Sequence, residues 1–258
     1  MCSLAVDLVF PDEVDRQKFH ERLDQFAAAD KFTQQVIRLD GDTLRFESES
    51  FLPPRLVSER PSLFFVVGNP APESIARRSM YAFEGNGARQ HRFWKVLHMT
   101  GVLRFSEDDP DMHSPEAKMN RLFAGQYGSP FNLHIVPFFS LPSPPGGPWS
   151  GVAGLRRLFG KQFPVIMQME LALVKGLLET RLRHGDSVLI SQKDAYMAIK
   201  PDAAPDYNPR AARTAALKSW HGDADVTLAC IPPTRLFYST AIRSILTSLV
   251  EQATSNAK

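Results

Sequence analysis

Apolar positions along the chain switch between two periods, and each switch marks an element. Residues 12–29 set Val14, Phe19, Leu23 and Phe26 among Glu13, Arg16, Lys18 and Glu21, the spacing of a helix opened by a Pro-Asp start. Residues 34–40 and 43–47 alternate apolar with polar on either side of Asp40-Gly41-Asp42, which predicts a hairpin. Leu63-Phe64-Phe65-Val66-Val67 is a continuous apolar run of strand length that stops at Gly68-Asn69-Pro70-Ala71-Pro72, as a buried parallel strand would. Residues 89–100 return to helical spacing and end at Gly101. The polar stretch 106–129 leaves room for a short helix over 115–124. Residues 132–139 have strand character and run into Leu141-Pro142-Ser143-Pro144-Pro145-Gly146-Gly147-Pro148, which can continue neither sheet nor helix.

The second half repeats the alternation. Residues 164–184 form the longest helical pattern, with apolar positions at Ile166, Met169, Leu173, Leu177 and Leu178. A buried strand over 187–191 follows Gly185-Asp186. Residues 196–221 read as irregular and then helical around 211–220. A further strand over 226–230 stops at Pro232-Pro233, and an amphipathic helix over 236–252 closes the chain. Strand and helix in strict succession predict a three-layer α/β/α fold with a mostly parallel sheet of about four strands. Residues 1–61 form an α+β extension packed on it. No linker interrupts the strand–helix units, so residues 1–258 are expected to be one domain.

Composition narrows this picture modestly. The net charge of +2 over 258 residues permits an anionic partner without requiring one. Cys2 and Cys230 are the only cysteines, too few for a disulfide framework or a cysteine zinc site, which points to a reduced intracellular compartment, cytoplasm or nucleoid/nucleus. Residues 1–10 lack a basic stretch and meet Pro11-Asp12-Glu13, so no secretory leader is expected. No window reaches the roughly 18 apolar residues of a membrane span. Phosphate-binding glycine motifs, a Gly-x-Ser-x-Gly elbow and His-Glu-x-x-His are all missing, and His91 and His98 share no carboxylate at metal spacing. No metal and no cofactor are expected, and the protein reads as a monomer.

Open α/β sheets hold ligands outside the carboxyl ends of their strands. Three stretches therefore carry candidate chemistry. In the Gly68–Pro72 loop, Asn69 is the polar side chain at the sheet edge, or the loop is merely a turn. In Phe131-Asn132-Leu133-His134, Asn132 and His134 share one strand face and can read a planar ligand's edge, or His134 is a satisfied core residue. In Ile231-Pro232-Pro233-Thr234-Arg235-Leu236 a loop opens the last helix. Phe93 and Trp94 have the spacing of an inward helix face. Arg77, Arg78, Arg89, Arg92, Lys95, Arg156, Arg157, Lys161 and Arg235 can contact phosphates, or are scattered surface charge.

Gly68-Asn69-Pro70-Ala71-Pro72, then Ser74-Ile75, Tyr81-Ala82 and His91-Arg92-Phe93-Trp94-Lys95, resemble the first half of the uracil-DNA glycosylase superfamily. The branches nearest in pattern are the mismatch-specific uracil/thymine and hypoxanthine types. Ala71 stands where those branches have glycine, Phe83-Glu84 where they have His-Pro, and His91 where they have asparagine. The resemblance implies base excision repair by base flipping: a DNA N-glycosylase releasing uracil, thymine or hypoxanthine, with DNA as partner. It implies that Asn69 positions the attacking water, since an amide takes no proton near neutral pH. It implies that Gly68, Tyr81 and either Asn132 or His134 bind the flipped base. Pro232, Pro233, Thr234, Arg235 and Leu236 fall where the family carries its second motif and wedge, with Ile231 in place of His or Asn. The alternatives are a member of the same fold that binds nucleic acid or a nucleobase-like ligand without releasing a base, and an unrelated α/β enzyme.

Overall fold

A computed structural model describes residues 2–53, 59–81, 91–105, 115–210, 214–218, 225–233, 237 and 239–255. In chain order its elements begin with β1 (Cys2–Asp7), α1 (Glu13–Ala28), α2 (Thr33–Val36), β2 (Ile37–Asp40) and β3 (Thr43–Ser48). Next come β4 (Ser62–Val67), α3 (Pro72–Ala76), α4 (Arg92–Met99), α5 (Pro115–Phe123) and β5 (Asn132–Pro137). The rest are α6 (Gly151–Phe159), α7 (Phe163–Arg181), β6 (Ser187–Ile190), α8 (Lys193–Ile199), β7 (Thr214–Lys218), β8 (Asp225–Cys230) and α9 (Thr240–Ser255). They group into two compact units, each drawn from three segments of chain: Met1–Glu49, Gly68–Ala82 and Phe139–Glu170 in the first; Ser50–Val67, Phe83–Phe138 and Leu171–Lys258 in the second.

The first unit holds a three-stranded antiparallel sheet in the order β1-β3-β2. Its hairpin pairs Asp40 with Thr43, so Gly41 and Asp42 alone make the turn. Gly41 sits at φ +60°, a left-handed position that costs glycine nothing. Asp12 caps α1 by accepting the Asp15 N–H at 2.8 Å, and Phe19, Leu23 and Phe26 are buried at helical spacing while Val14 is exposed. That face packs on α6: the Phe19 and Phe159 rings lie 6.2 Å apart, and Phe26 meets Trp149 edge-on at 5.9 Å. β1 is an addition to the sequence reading. Its six residues pair along β3, with half-buried Leu4 and Val6 alternating with exposed Ser3, Ala5 and Asp7.

The second unit is the α/β part of the three-layer α/β/α fold. Its sheet runs β5-β4-β6-β8-β7, with the first four strands parallel and β7 antiparallel at the edge. Every residue of β4 and β5 is buried, as strands covered on both faces require. On α4, Phe93, Trp94, Val96 and Leu97 are buried, and Phe93 packs edge-on against Phe65 at 5.3 Å. Burial of each such side chain contributes roughly 1.5–3 kcal/mol. Asp186 fastens the sheet's start, its carboxylate accepting the Ser62 N–H at 2.6 Å and the Arg183 N–H at 2.8 Å.

Four expectations are corrected. Of the expected helix around 211–220, residues 211–213 and 219–220 lie outside the described residues, and 214–218 are instead β7, because these five find an antiparallel partner in β8, and pairing outweighs the helical propensity of an Ala-Ala-Leu-Lys string. On α7, Met169 and Leu173 are 47% and 62% exposed; the buried line is Ile166, Glu170, Val174 and Leu178, one residue in four. Residues 33–36 form a helical turn before β2 rather than strand. Helix α8 occupies part of the stretch read as irregular, and α9 begins at Thr240.

Candidate functional site

The loop after β4 belongs to the first unit and is clamped by the stretch after β5. The Phe139 N–H donates to Gly68 O at 3.0 Å, and the Ser143 N–H to Pro70 O at 3.1 Å. Between these backbone bonds the Asn69 side chain is held: Nδ2 donates to Ser143 Oγ at 2.7 Å and to Pro70 O at 3.2 Å. A carbonyl oxygen can only accept, so the contact with Pro70 O identifies the nitrogen of the amide. Asn69 Oδ1 is then left as an acceptor, with no partner among the described residues. Ser143 Oγ also accepts the Gly151 N–H at 2.7 Å, tying the loop to the first residue of α6. Asn69 and Gly68 are half-buried, and a Cβ built on Gly68 would meet nothing within 4 Å, so open space adjoins the loop.

Two supports hold the clamp. The Glu170 carboxylate accepts the Ser140 N–H and the Ser140 hydroxyl, both at 2.8 Å. Burial pushes the Glu170 carboxyl up, and the Ser140 bonds oppose that rise. Downstream, Gly154 lies so close to the Trp149 backbone that a Cβ would fall on the Trp149 carbonyl. Only glycine lets α6 leave the Pro/Gly loop at this angle.

Beyond the loop, α3 ends in a Schellman motif: the Ser79 N–H donates to Ser74 O and the Arg78 N–H to Ile75 O, both at 2.9 Å. Arg78 occupies the position glycine usually takes, at φ +54°. Tyr81, three residues on, is also left-handed at φ +52°, an outlier for a bulky side chain. Tyr81 is half-buried; desolvation, and then the charge of Glu49, pushes its phenol up. Glu49, directly after β3, is 6% exposed, and its Oε2 has no hydrogen-bond partner among the described residues. Burial pushes the Glu49 carboxyl up to about 8, with the positive amino terminus opposing it.

The other predicted residues belong to the second unit. Asn132 and His134 do share one face of β5, beside Ser62 and Phe64 of β4. Asn132 is 2% exposed, and its Nδ2 donates to Arg60 O at 2.8 Å. It lies at the amino edge of the sheet, roughly 16 Å of strand away from the carboxyl edge where open sheets hold ligands. His134 is 1% exposed, stacked on Phe64 at 4.3 Å, and its Nε2 shares a hydrogen bond with Ser62 Oγ at 3.3 Å. Both side chains are thus built into the sheet. Ile231 is fully buried and extends the sheet ladder by donating its N–H to Ile190 O at 2.9 Å. Pro232 is buried and Pro233 half-buried, while Thr234, Arg235 and Leu236 lie outside the described residues. The Tyr207 hydroxyl lies 3.0 Å from Ser191 O and 3.1 Å from Ile231 O, bridging the carboxyl ends of β6 and β8.

Of the basic residues, Arg77 pairs with Glu73 at 2.9 Å and lies over Phe32, and Lys161 reaches Asp15 at 3.5 Å. Arg156 stacks over Phe163 at 4.9 Å and Arg157 over Trp149 at 5.4 Å, both with exposed side chains on α6. Arg89 and Arg235 lie outside the described residues. Among the described residues no group of three or more His, Cys, Asp or Glu gathers to hold a metal ion, and no helix is long and apolar enough to cross a membrane.

Ser143, Glu170 and Glu49 escaped the sequence reading. Ser143 sits in a proline run that signals a turn, and a hydrogen bond spanning 74 residues has no local signature. Glu49 lies in the polar string Glu47-Ser48-Glu49-Ser50, which suggests solvent, and Glu170 is a lone charge among the apolar residues of α7, where a charge is expected to face outward. No protein-family model matches the chain, and no curated protein matches it.

Proposed function

We propose that the chain is a DNA base-releasing enzyme of the uracil-DNA glycosylase type, acting at the Asn69 loop. The observation that carries this reading is the state of the Asn69 amide. Its nitrogen is committed to Ser143 Oγ and Pro70 O, and its oxygen remains to accept a hydrogen bond from a water. Hydrolysis of an N-glycosidic bond needs little more from such a group. As the bond to the base lengthens, the sugar takes on oxocarbenium character, and a water held in line completes the attack at C1′. The water's oxygen bonds to C1′, the base departs with the bonding electron pair, and the water's surplus proton passes to solvent or to the departing base. An amide orients this water without taking its proton. The motif string from Gly68 to Lys95 adds the expectation of an extruded base lying against Tyr81.

A second reading, binding without base release, rests on Ile231. That position is aliphatic and fully buried, so it donates nothing to a departing base.

Single-turnover assays on duplexes with uracil, thymine or hypoxanthine opposite guanine separate the two. Release that Asn69→Ala abolishes, with DNA affinity retained, is the expected result. Salt-dependent DNA binding without release on any duplex selects the second reading. No DNA affinity at low salt overturns both.

A further inference from the structure

We propose that Glu49 recognises the extruded base, donating its carboxyl O–H to a base carbonyl oxygen while the Tyr81 ring lies against the base. This deepens the reading of the Asn69 loop and rests on it. Three observations in the first unit converge. Glu49 is 6% exposed, and its Oε2 has no hydrogen-bond partner among the described residues. A carboxylate enclosed this way, with no donor at Oε2, takes up a proton more readily than one in water, and the amino terminus only partly opposes this. In that form it carries one O–H donor, and a buried donor calls for an acceptor, which no described residue supplies at Oε2.

The second observation is its neighbour. The charge of Glu49 registers on the Tyr81 phenol, which places the two side chains within electrostatic reach. Among the described residues the titratable group that registers Glu49 electrostatically is Tyr81, and the positive charge of the amino terminus opposes the rise of the Glu49 carboxyl. The third is the backbone of Tyr81, held at φ +52°. A bulky residue keeps that conformation only where its surroundings over-determine it, and such positions cluster at ligand clamps.

An O–H donor beside an aromatic face selects for a flat ring bearing a carbonyl oxygen. Uracil, thymine and hypoxanthine carry one. Adenine carries an amine where hypoxanthine carries its carbonyl, so at that position Glu49 would meet a donor in place of an acceptor. The substrate class assigned is therefore the keto base, pyrimidine or purine.

The test measures uracil and adenine binding to the full chain by calorimetry at pH 6.5 and 9.0, for wild type, Glu49→Gln and Glu49→Leu. Wild type is expected to bind uracil at pH 6.5 and to lose about tenfold in affinity at pH 9.0, as the donor ionises. Glu49→Gln keeps an N–H donor and is expected to bind equally at both pH values. Glu49→Leu is expected to lose uracil at both, and adenine is expected to bind none of the three tightly. Equal uracil affinity for wild type at the two pH values, wild-type affinity in Glu49→Leu, or no uracil binding at all overturns the proposal. Should Glu49→Leu not fold, the pH-independence of Glu49→Gln decides alone. Single-turnover release run in parallel keeps the two readings apart. Release with Glu49-independent binding retains the enzyme and overturns the role of Glu49. Glu49-dependent binding without release retains the recognition site and overturns catalysis.

Discussion

Asn69 Nδ2 and Ser143 Oγ lie 2.7 Å apart, and this bond sets which end of the Asn69 amide is offered to a reactant. Ser143→Ala removes the acceptor and lets the amide rotate. Base release is expected to fall about 10- to 100-fold, the scale of a misplaced catalytic group, with DNA affinity nearly unchanged. Release at the wild-type rate by Ser143→Ala would show that the bond is incidental.

Buried Glu49 also shapes stability against pH. Its carboxyl, pushed up to about 8 in the folded chain, binds its proton more tightly there than in the unfolded chain. The contribution is whole below the unfolded value near 4.5 and is lost as pH rises through about 8. Over that window the slope approaches about 1.4 kcal/mol per pH unit. Glu49→Gln removes it, so urea denaturation at pH 5 and pH 8.5 is expected to differ by several kcal/mol less in the variant than in wild type. Parallel pH profiles for the two proteins would refute the assignment.

Arg78 holds the left-handed position of a Schellman motif, at a cost of about 1–2 kcal/mol for an L side chain. Arg78→Gly relieves that cost, partly offset by the entropy glycine loses on folding. The expected gain is roughly 0.5–1 kcal/mol, a rise in Tm of about 1–4 °C by calorimetry. A loss of stability would mean that the arginine side chain makes good its own strain.

Gly154→Ala places a methyl group on the Trp149 carbonyl. Since backbone must move, the expected loss is about 2–3 kcal/mol or more, read as a lower denaturation midpoint. Base release is expected to fall with it, because α6 and the Ser143 clamp share the loop that would shift. A neutral effect on both would place the close approach outside the clamp's support.

Much of the fold was legible because burial leaves a period in the chain. The run from Leu63 to Val67 could be recognised as a covered parallel strand from five unbroken apolar residues, and α1 from its cap and its Phe19-Leu23-Phe26 face. What the pattern misjudged was decided by partners distant in sequence. The 214–218 string looks helical until β8 is beside it, and β1 pairs along β3 with few buried side chains to betray it. On α7 the apolar letters at Met169 and Leu173 misled, since the buried line includes Glu170, whose carboxylate is occupied by Ser140. The same logic governs the site. Asn69 stood out because a polar residue followed a buried strand, whereas Ser143, Glu170 and Glu49 acquire meaning only through contacts made in three dimensions. Asn132 and His134 shared a strand face as expected, but which edge of the sheet they occupy depends on a register that no single strand discloses.

The order β5-β4-β6-β8-β7 has a consequence for synthesis on the ribosome. The interior strand β4 is complete by Val67, yet its neighbour β6 begins at Ser187, and the Asp186 bond to Ser62 spans 124 residues. From Val67 to Ser187 a nascent chain therefore carries a largely apolar strand whose edge toward β6 is bare, and whose other edge is bare until β5 is made, exposed to pairing with other chains. Closing so long a loop early is entropically costly, so the sheet is assembled late and slowly. Fragments ending before residue 187 are expected to require holding by chaperones, and stop codons in that interval to yield aggregates in place of a smaller folded protein.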